Sequence, residues 1–237
     1  MNKFIIDFSN LLIYFIVCAT FALIIRKFTR VPDELYRKLL HFILIGSAPV
    51  LLYMFSSWQN SVIASVIFAA LIYPVLSFAQ GWKGYSDLLA ERDDGEIKRS
   101  LVLVFVMLAF VIYICWGILG ARYLALAVIL GWGLGDAAAA LVGKRFGRRR
   151  LEGKFVDGKK TLEGSLAMFI VSFIAIITVL ILNSSLPWHV YIPVALITAA
   201  VGSIVELNTK NGFDTITCPA ATLAVMLPLV YLLGGMV

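Results

Sequence analysis

The chain has 237 residues, of which 61% are hydrophobic and only 14% are charged. A soluble domain averages about 45–50% apolar and about 25% charged residues, so the composition excludes an ordinary soluble protein and is typical of one embedded in lipid. The formal charge of +6 does not require nucleic acid, because lysine and arginine collect in the cytosolic loops of membrane proteins. We expect a membrane protein without a nucleic-acid partner.

Long apolar runs predict the transmembrane helices, because a span needs about 20 apolar residues and must be helical to satisfy its backbone in lipid. Such runs cover residues 4–25, 36–55, 58–78, 101–119, 123–142, 162–182, 187–205 and 215–233. The last run is interrupted by Pro219 and Pro228. The prediction is an all-α, polytopic bundle of about eight transmembrane helices, forming a single membrane-embedded domain over residues 1–237.

The segments between these runs alternate in charge. The odd-numbered segments carry 18 of the 20 lysines and arginines, and they cover about 26–38, 79–100, 143–161 and 206–214. The other two basic residues are Lys3 and Arg122. By the positive-inside rule we expect the odd segments in the cytosol and both termini on the opposite side. A site built from these segments would face the cytosol, in a plasma, inner or ER-type membrane.

Three polar residues open the second predicted helix, namely Arg37, Lys38 and His41. Spacings of three and four residues allow both cations to share a helix face with His41. These three residues are either polar residues of the membrane interface or a group that contacts phosphate. The next cytosolic segment contains the acidic stretch 91–99, which we expect to be solvated.

Asp136 lies inside the fifth apolar run, among small residues that include Gly131 and Gly135. Burying a carboxylate in a membrane is costly, which favours a functional role over a structural ion pair. The spacing of the two glycines is also typical of close helix packing. Lys144 follows eight residues later, about 12 Å along a helix, so we expect Asp136 on the cytosolic half of the span.

The fifth segment is strongly basic. Its lysines and arginines are Lys144, Arg145, Arg148, Arg149, Arg150, Lys154, Lys159 and Lys160. Such a segment can bind anionic headgroups or a triphosphate. Residues 153–159 copy the start of a P-loop, but Lys160 stands where Ser or Thr would coordinate magnesium. No buried strand precedes it either, so we reject a P-loop.

The sixth apolar run begins with Thr161 and Glu163. Thr161 is a predicted N-cap, and Glu163 in the first turn suits the helix dipole. A helix N-terminus preceded by Lys159 and Lys160 is also suited to binding an anion. Both the structural and the functional interpretation stay open.

Glu206 and Asp214 bracket the seventh segment. Magnesium is usually held by one or two carboxylates together with substrate phosphates. Asp136, Glu206 and Asp214 are therefore candidate metal ligands, and this inventory suits phosphoryl or nucleotidyl transfer. A transporter of an anionic solute and a lipid-binding protein without catalysis are the alternatives.

These blocks together resemble the dolichol kinase, phytol kinase and CTP-dependent diacylglycerol kinase family, which is similar to the phosphatidate cytidylyltransferases. The resemblance runs from about residue 34 to 219 and is carried by Arg37-Lys38-x-x-His41, Gly135-Asp136-Ala-Ala-Ala139, Gly143, Gly147, Lys159-Lys-Thr-Leu-Glu-Gly-Ser165 and Asp214-Thr-Ile-Thr-Cys-Pro219. The family usually has Asn where this sequence has Thr215.

The resemblance implies a CTP- and Mg²⁺-dependent kinase that phosphorylates the hydroxyl of a membrane lipid alcohol, such as a polyprenol, diacylglycerol or a phytol-like alcohol. The runner-up is a CTP:lipid-phosphate cytidylyltransferase. We assign catalysis to Asp136, Lys160, Glu163 and His41. We assign nucleotide binding to Lys144, Arg145, Lys159, Lys160, Thr161, Arg37 and Lys38, and metal binding to Asp136, Asp214 and Glu206. The sequence indicates neither the acceptor lipid nor the oligomeric state.

Overall fold

A computed structural model describes residues 3–93, 95–151, 160–209 and 212–234. The helices are α1 (Lys3–Phe28), α2 (Asp33–Pro49), α3 (Trp58–Ala79), α4 (Tyr85–Leu89), α5 (Glu96–Ile112), α6 (Arg122–Phe146), α7 (Leu162–Asn183), α8 (Trp188–Asn208) and α9 (Asp214–Gly234). Two of them continue as π-helical turns, α2 through Val50–Met54 and α5 through Tyr113–Ile118. One isolated antiparallel bridge joins Arg150 and Thr161.

In the described part of the chain, eight helices are long and apolar enough to cross a membrane. They coincide with the eight apolar runs, so the all-α, polytopic class is confirmed. The run that contains Pro219 and Pro228 forms one continuous helix, α9. The short helix α4 in the third segment was not predicted, because its five residues carry no long apolar pattern.

The end of α6 differs from the prediction. The apolar run ends at Val142, but the helix continues to Phe146. Lys144 and Arg145 therefore lie in the last turn of α6 and not in a loop. Basic residues at this end also interact favourably with the helix dipole, which helps the helix to extend past its apolar stretch.

The chain divides into two compact units, residues 1–113 and 114–237. In the first unit, α3 packs on α5 and α1 packs on α2. Its aromatic centre contains Phe15, Phe68 and Phe105, with ring centroids 4.3 to 5.8 Å apart. Rings at such distances stabilise a core beyond the area that they bury.

The acidic stretch of the first unit takes part in ion pairs. Glu34 is only 8% exposed and contacts Arg92 at 2.6 Å and Arg37 at 3.6 Å. A second carboxylate, that of Glu96, lies 3.1 Å from Arg37. Arg92 is exposed, as expected, although it pairs with the buried carboxylate of Glu34. The expectation that stretch 91–99 is solvated is wrong for Glu96, because the half-buried Arg37 on α2 attracts its carboxylate and leaves it half-buried.

In the second unit α6 packs on α7, α7 on α8 and α8 on α9. Glycines bring the backbones of α6 and α7 together. A Cβ atom built on Gly164 would lie 2.9 Å from the carbonyl oxygen of Ala139 and 3.3 Å from Cα of Gly143. Further along the two helices, the Ser172 hydroxyl donates to the carbonyl of Gly131 at 2.7 Å. The packing role of the small residues is confirmed.

The orientation in the membrane stays a prediction, and it is directly testable. Positive charge holds a segment on the cytosolic side, so a reporter fused after Arg149 should give a cytosolic signal. A reporter at Ser184 or at the C-terminus should give an external signal. Paired alkaline phosphatase and fluorescent-protein fusions measure both states, and a cytosolic signal at Ser184 would contradict the assignment.

Candidate active site

Asp136 is held within the close contact of α6 and α7. The residues on either side of it, Gly135 and Ala137, are buried, whereas Asp136 itself is half-buried. A Cβ atom on Gly135 would lie 3.1 Å from Cγ and 3.3 Å from the carbonyl oxygen of Met168 on α7. This contact fixes the backbone from which the Asp136 carboxylate projects.

Lys160 precedes α7 and contacts the end of α8. Its Nζ lies 2.8 Å from Oε1 of Glu206 and donates to the carbonyl oxygen of Thr209 at 3.0 Å. It also donates to the carbonyl oxygen of Glu206. A lysine ammonium has three N–H donors, and these three contacts use all of them.

The two carboxylate oxygens of Glu206 differ in their hydrogen bonding. The residue is 7% exposed, and Oε1 pairs with Lys160. Its Oε2 is buried and has no hydrogen-bond partner among the described residues. Asp136 and Asp214 both interact electrostatically with Glu206. The structure thus brings the three predicted metal ligands and Lys160 into one neighbourhood of the second unit.

The chemistry of these carboxylates fits Mg²⁺. Among the described residues, no group of three or more His, Cys, Asp or Glu side chains is arranged as a complete metal site. Mg²⁺ does not require one, because it usually takes one or two carboxylates and completes its shell with water and substrate phosphates. The buried Oε2 of Glu206 is a hard oxygen donor of the kind that Mg²⁺ prefers.

Thr161 and Glu163 shape the entrance to α7. The Thr161 hydroxyl accepts a hydrogen bond from the Gly164 amide at 3.2 Å, which confirms the predicted N-cap. Both Glu163 oxygens accept from the backbone N–H of Arg149 at 3.3 Å. Two backbone hydrogen bonds, Leu151 to Lys160 and Leu162 to Arg149, each at 3.0 Å, hold the start of the basic segment beside residues 160–162.

The basic residues next to this entrance are exposed. Lys144, Arg145 and residues 148–150 all lie open to the surroundings of the protein. An open cavity of about 430 Å³ is lined by Arg145, Phe146, Gly147, Arg148 and Glu163. Lys159, which we assigned to nucleotide binding, lies outside the described residues.

Arg37, Lys38 and His41 lie on α2 in the first unit. The Arg37 side chain is 17% exposed and contacts Glu34 and Glu96. The pairing with Glu34, three residues earlier, follows the helix spacing that the sequence shows. The pairing with Glu96 is 59 residues distant along the chain and has no local signal.

Sequence analysis missed Thr209 and named Thr217 only as part of the block 214–219. The hydroxyl oxygens of Thr209 and Thr217 lie 3.0 Å apart and form a hydrogen bond. This bond joins the end of α8 to the first turns of α9, on which Asp214 lies. The only sequence signal is that hydroxyl residues flank the segment between two predicted spans.

Comparisons with known proteins point to one class. No protein-family model matches the chain. The chain is 30% identical over 209 residues to a phytol kinase of Synechocystis sp., covering 84% of this chain and 80% of the relative. It is 30% identical to a probable chloroplastic phytol kinase 2 of Glycine max, with 82% and 65% covered. It is 33% identical over 93 residues to the dolichol kinase of Saccharomyces cerevisiae, with 39% and 17% covered.

Proposed function

The chain belongs to the phytol kinase and dolichol kinase family, and we propose that it is a CTP-dependent kinase of a membrane lipid alcohol. The transferred group would be the γ-phosphoryl of CTP. The lipid oxygen gains this phosphoryl group, CDP leaves, and the hydroxyl proton passes to a carboxylate. The relatives are named for the long-chain alcohols phytol and dolichol, which favours an acceptor of that class over diacylglycerol.

The observation that supports this proposal is the ion pair of Lys160 with Glu206 among transmembrane helices, together with the charges of Asp136 and Asp214 that act on the same carboxylate. Phosphoryl transfer depends mainly on positioning and on neutralising charge. One or two of the carboxylates of Asp136, Glu206 and Asp214 would hold Mg²⁺, which when bound supplies neutralisation of phosphate charge. Whichever of Asp136 and Asp214 does not hold the metal would accept the proton of the lipid hydroxyl.

The exposed cations at the end of α6 provide the nucleotide side of the proposed site. Lys144, Arg145 and Arg148 are exposed cations that offer N–H donors. Arginine binds phosphate through paired donors. The open cavity beside Arg145 and Arg148 has Glu163 on its wall, and Glu163 orients the Arg149 backbone there.

The proposed function is tested by measuring which phosphoryl group of labelled CTP is transferred to a lipid. The purified protein in detergent should transfer label to a lipid alcohol from γ-labelled CTP and not from α-labelled CTP, because only the γ-phosphoryl moves. A panel of phytol, polyprenol, dolichol and diacylglycerol identifies the acceptor. A hundredfold excess of unlabelled CTP should suppress transfer, whereas the same excess of ATP should not.

The runner-up reaction gives the opposite pattern. A cytidylyltransferase would join the α-phosphoryl and cytidine to a lipid phosphate and release pyrophosphate. Including phosphatidate and polyprenyl phosphate in the panel therefore tests both reactions in one experiment. Label from α-labelled CTP with release of pyrophosphate would overturn the kinase proposal.

A further inference from the structure

The ammonium group of Lys160 is saturated by protein oxygens. It contacts Oε1 of Glu206 at 2.8 Å, the carbonyl of Thr209 at 3.0 Å and the carbonyl of Glu206. The side chain is only 18% exposed. A phosphate oxygen could bind Lys160 only by displacing one of these acceptors. Lys144 and Arg145, by contrast, are exposed.

The two carbonyls that Lys160 contacts lie at the C-terminal end of α8, which ends at Asn208. The last carbonyls of a helix lack partners within the helix and carry partial negative charge. A lysine that donates to them caps the helix and favours its last turn. Lys160 therefore connects the start of α7 to the end of α8 through one half-buried cation.

The same cation selects the position of the Glu206 carboxylate. With Oε1 fixed by Lys160, Oε2 is the oxygen left without a hydrogen bond among the described residues. Asp136 and Asp214 add negative charge nearby, so Glu206 without its cation would be repelled from the cluster. A buried carboxylate that loses its partner is strongly destabilised.

We propose that Lys160 is a positioning residue and does not bind phosphate. It fixes Glu206 and the last turn of α8, so that Oε2 of Glu206 is presented to a bound metal ion. This inference rests on the proposed function only for its kinetic part. It differs from the expectation that the pair of Lys159 and Lys160 binds the triphosphate.

The test compares Lys160→Met, Glu206→Gln and the double variant, and Lys144→Met serves as the matched lysine. Hydrogen exchange of the peptide that covers residues 204–209 should be about tenfold faster in Lys160→Met than in the unaltered protein, because the cap is lost.

The dissociation constant for CTP should change less than about twofold in Lys160→Met. It should rise about tenfold in Lys144→Met, because that variant loses one charge-assisted contact. In Lys160→Met, the kcat should fall while the KM for CTP stays unchanged.

If Lys160→Met does not fold, because Glu206 is left unpaired, the double variant removes that charge and keeps the test open. It should bind CTP as Glu206→Gln alone does, because Lys160 makes no phosphate contact, while exchange at residues 204–209 should still be faster because the cap is lost. A double variant that binds CTP more than about tenfold more weakly than Glu206→Gln would show a direct phosphate contact and overturn the proposal. Unchanged exchange at residues 204–209 in a folded Lys160 variant would also overturn it. Failure of every lipid to acquire label would contradict the kinase function but not the role of Lys160, because the hydrogen-exchange measurement needs no substrate.

Discussion

Replacing Asp136 by Asn is expected to lower the rate of lipid phosphorylation by about 100-fold or more, which corresponds to about 2.7 kcal/mol of transition-state stabilisation. Asparagine keeps the size of the side chain but removes the negative charge. In the proposed mechanism that charge either holds Mg²⁺ or accepts the proton of the lipid hydroxyl. Transfer of γ-label in detergent measures the rate, and gel filtration verifies that the variant is folded.

A matched substitution separates this effect from a general effect of charge. Asp87 is exposed on the short helix α4, and Asp87→Asn should retain the activity of the unaltered protein. If Asp136→Asn retained more than about a tenth of the activity, a loss below about 1.4 kcal/mol, Asp136 would not contact the reacting groups or the metal.

Replacing Gly164 by Val is expected to destabilise the second unit by about 1–3 kcal/mol or more, as overpacking of a close contact does. The added Cβ would lie 2.9 Å from a backbone oxygen of α6, that of Ala139. A backbone atom cannot move aside as a flexible side chain can, so α6 and α7 would separate. Thermal unfolding in detergent measures the loss, and activity should fall with it because Asp136 lies on α6.

The control for this variant is Ala167→Val, which adds bulk to the same helix at a half-exposed position. Its midpoint of thermal unfolding should stay close to that of the unaltered protein. An equal midpoint for Gly164→Val would show that the two helices do not depend on their close contact.

The transmembrane helices could be predicted because the membrane imposes a length and an apolar composition on each span. The ends of the helices could not, because polar residues continue a helix without adding to its apolar pattern. Lys144 and Arg145 are the clearest example, since the helix includes them beyond the apolar run. The short helix Tyr85–Leu89 was missed for the same reason.

Candidate site residues could be named from the sequence, but their pairing could not. Charge inside apolar runs singled out Asp136, and the position of Glu206 and Asp214 beside one predicted cytosolic segment suggested that they act together. The pairing of Lys160 with Glu206 joins residues 46 apart in the chain. The packing of α7 against α8 creates this contact. A spacing rule that applies within one helix cannot predict it.

The close approach of α6 and α7 also limits how the acceptor preference of this protein can be redesigned. Where the Gly164 backbone meets that of Ala139, no larger side chain fits, so a library of variants at this seam would mostly sample misfolded proteins. Ile197 and Ile204 on α8 are exposed, so that larger side chains there would not be crowded in the same way. Engineering of this protein should therefore leave the contact between α6 and α7 unchanged.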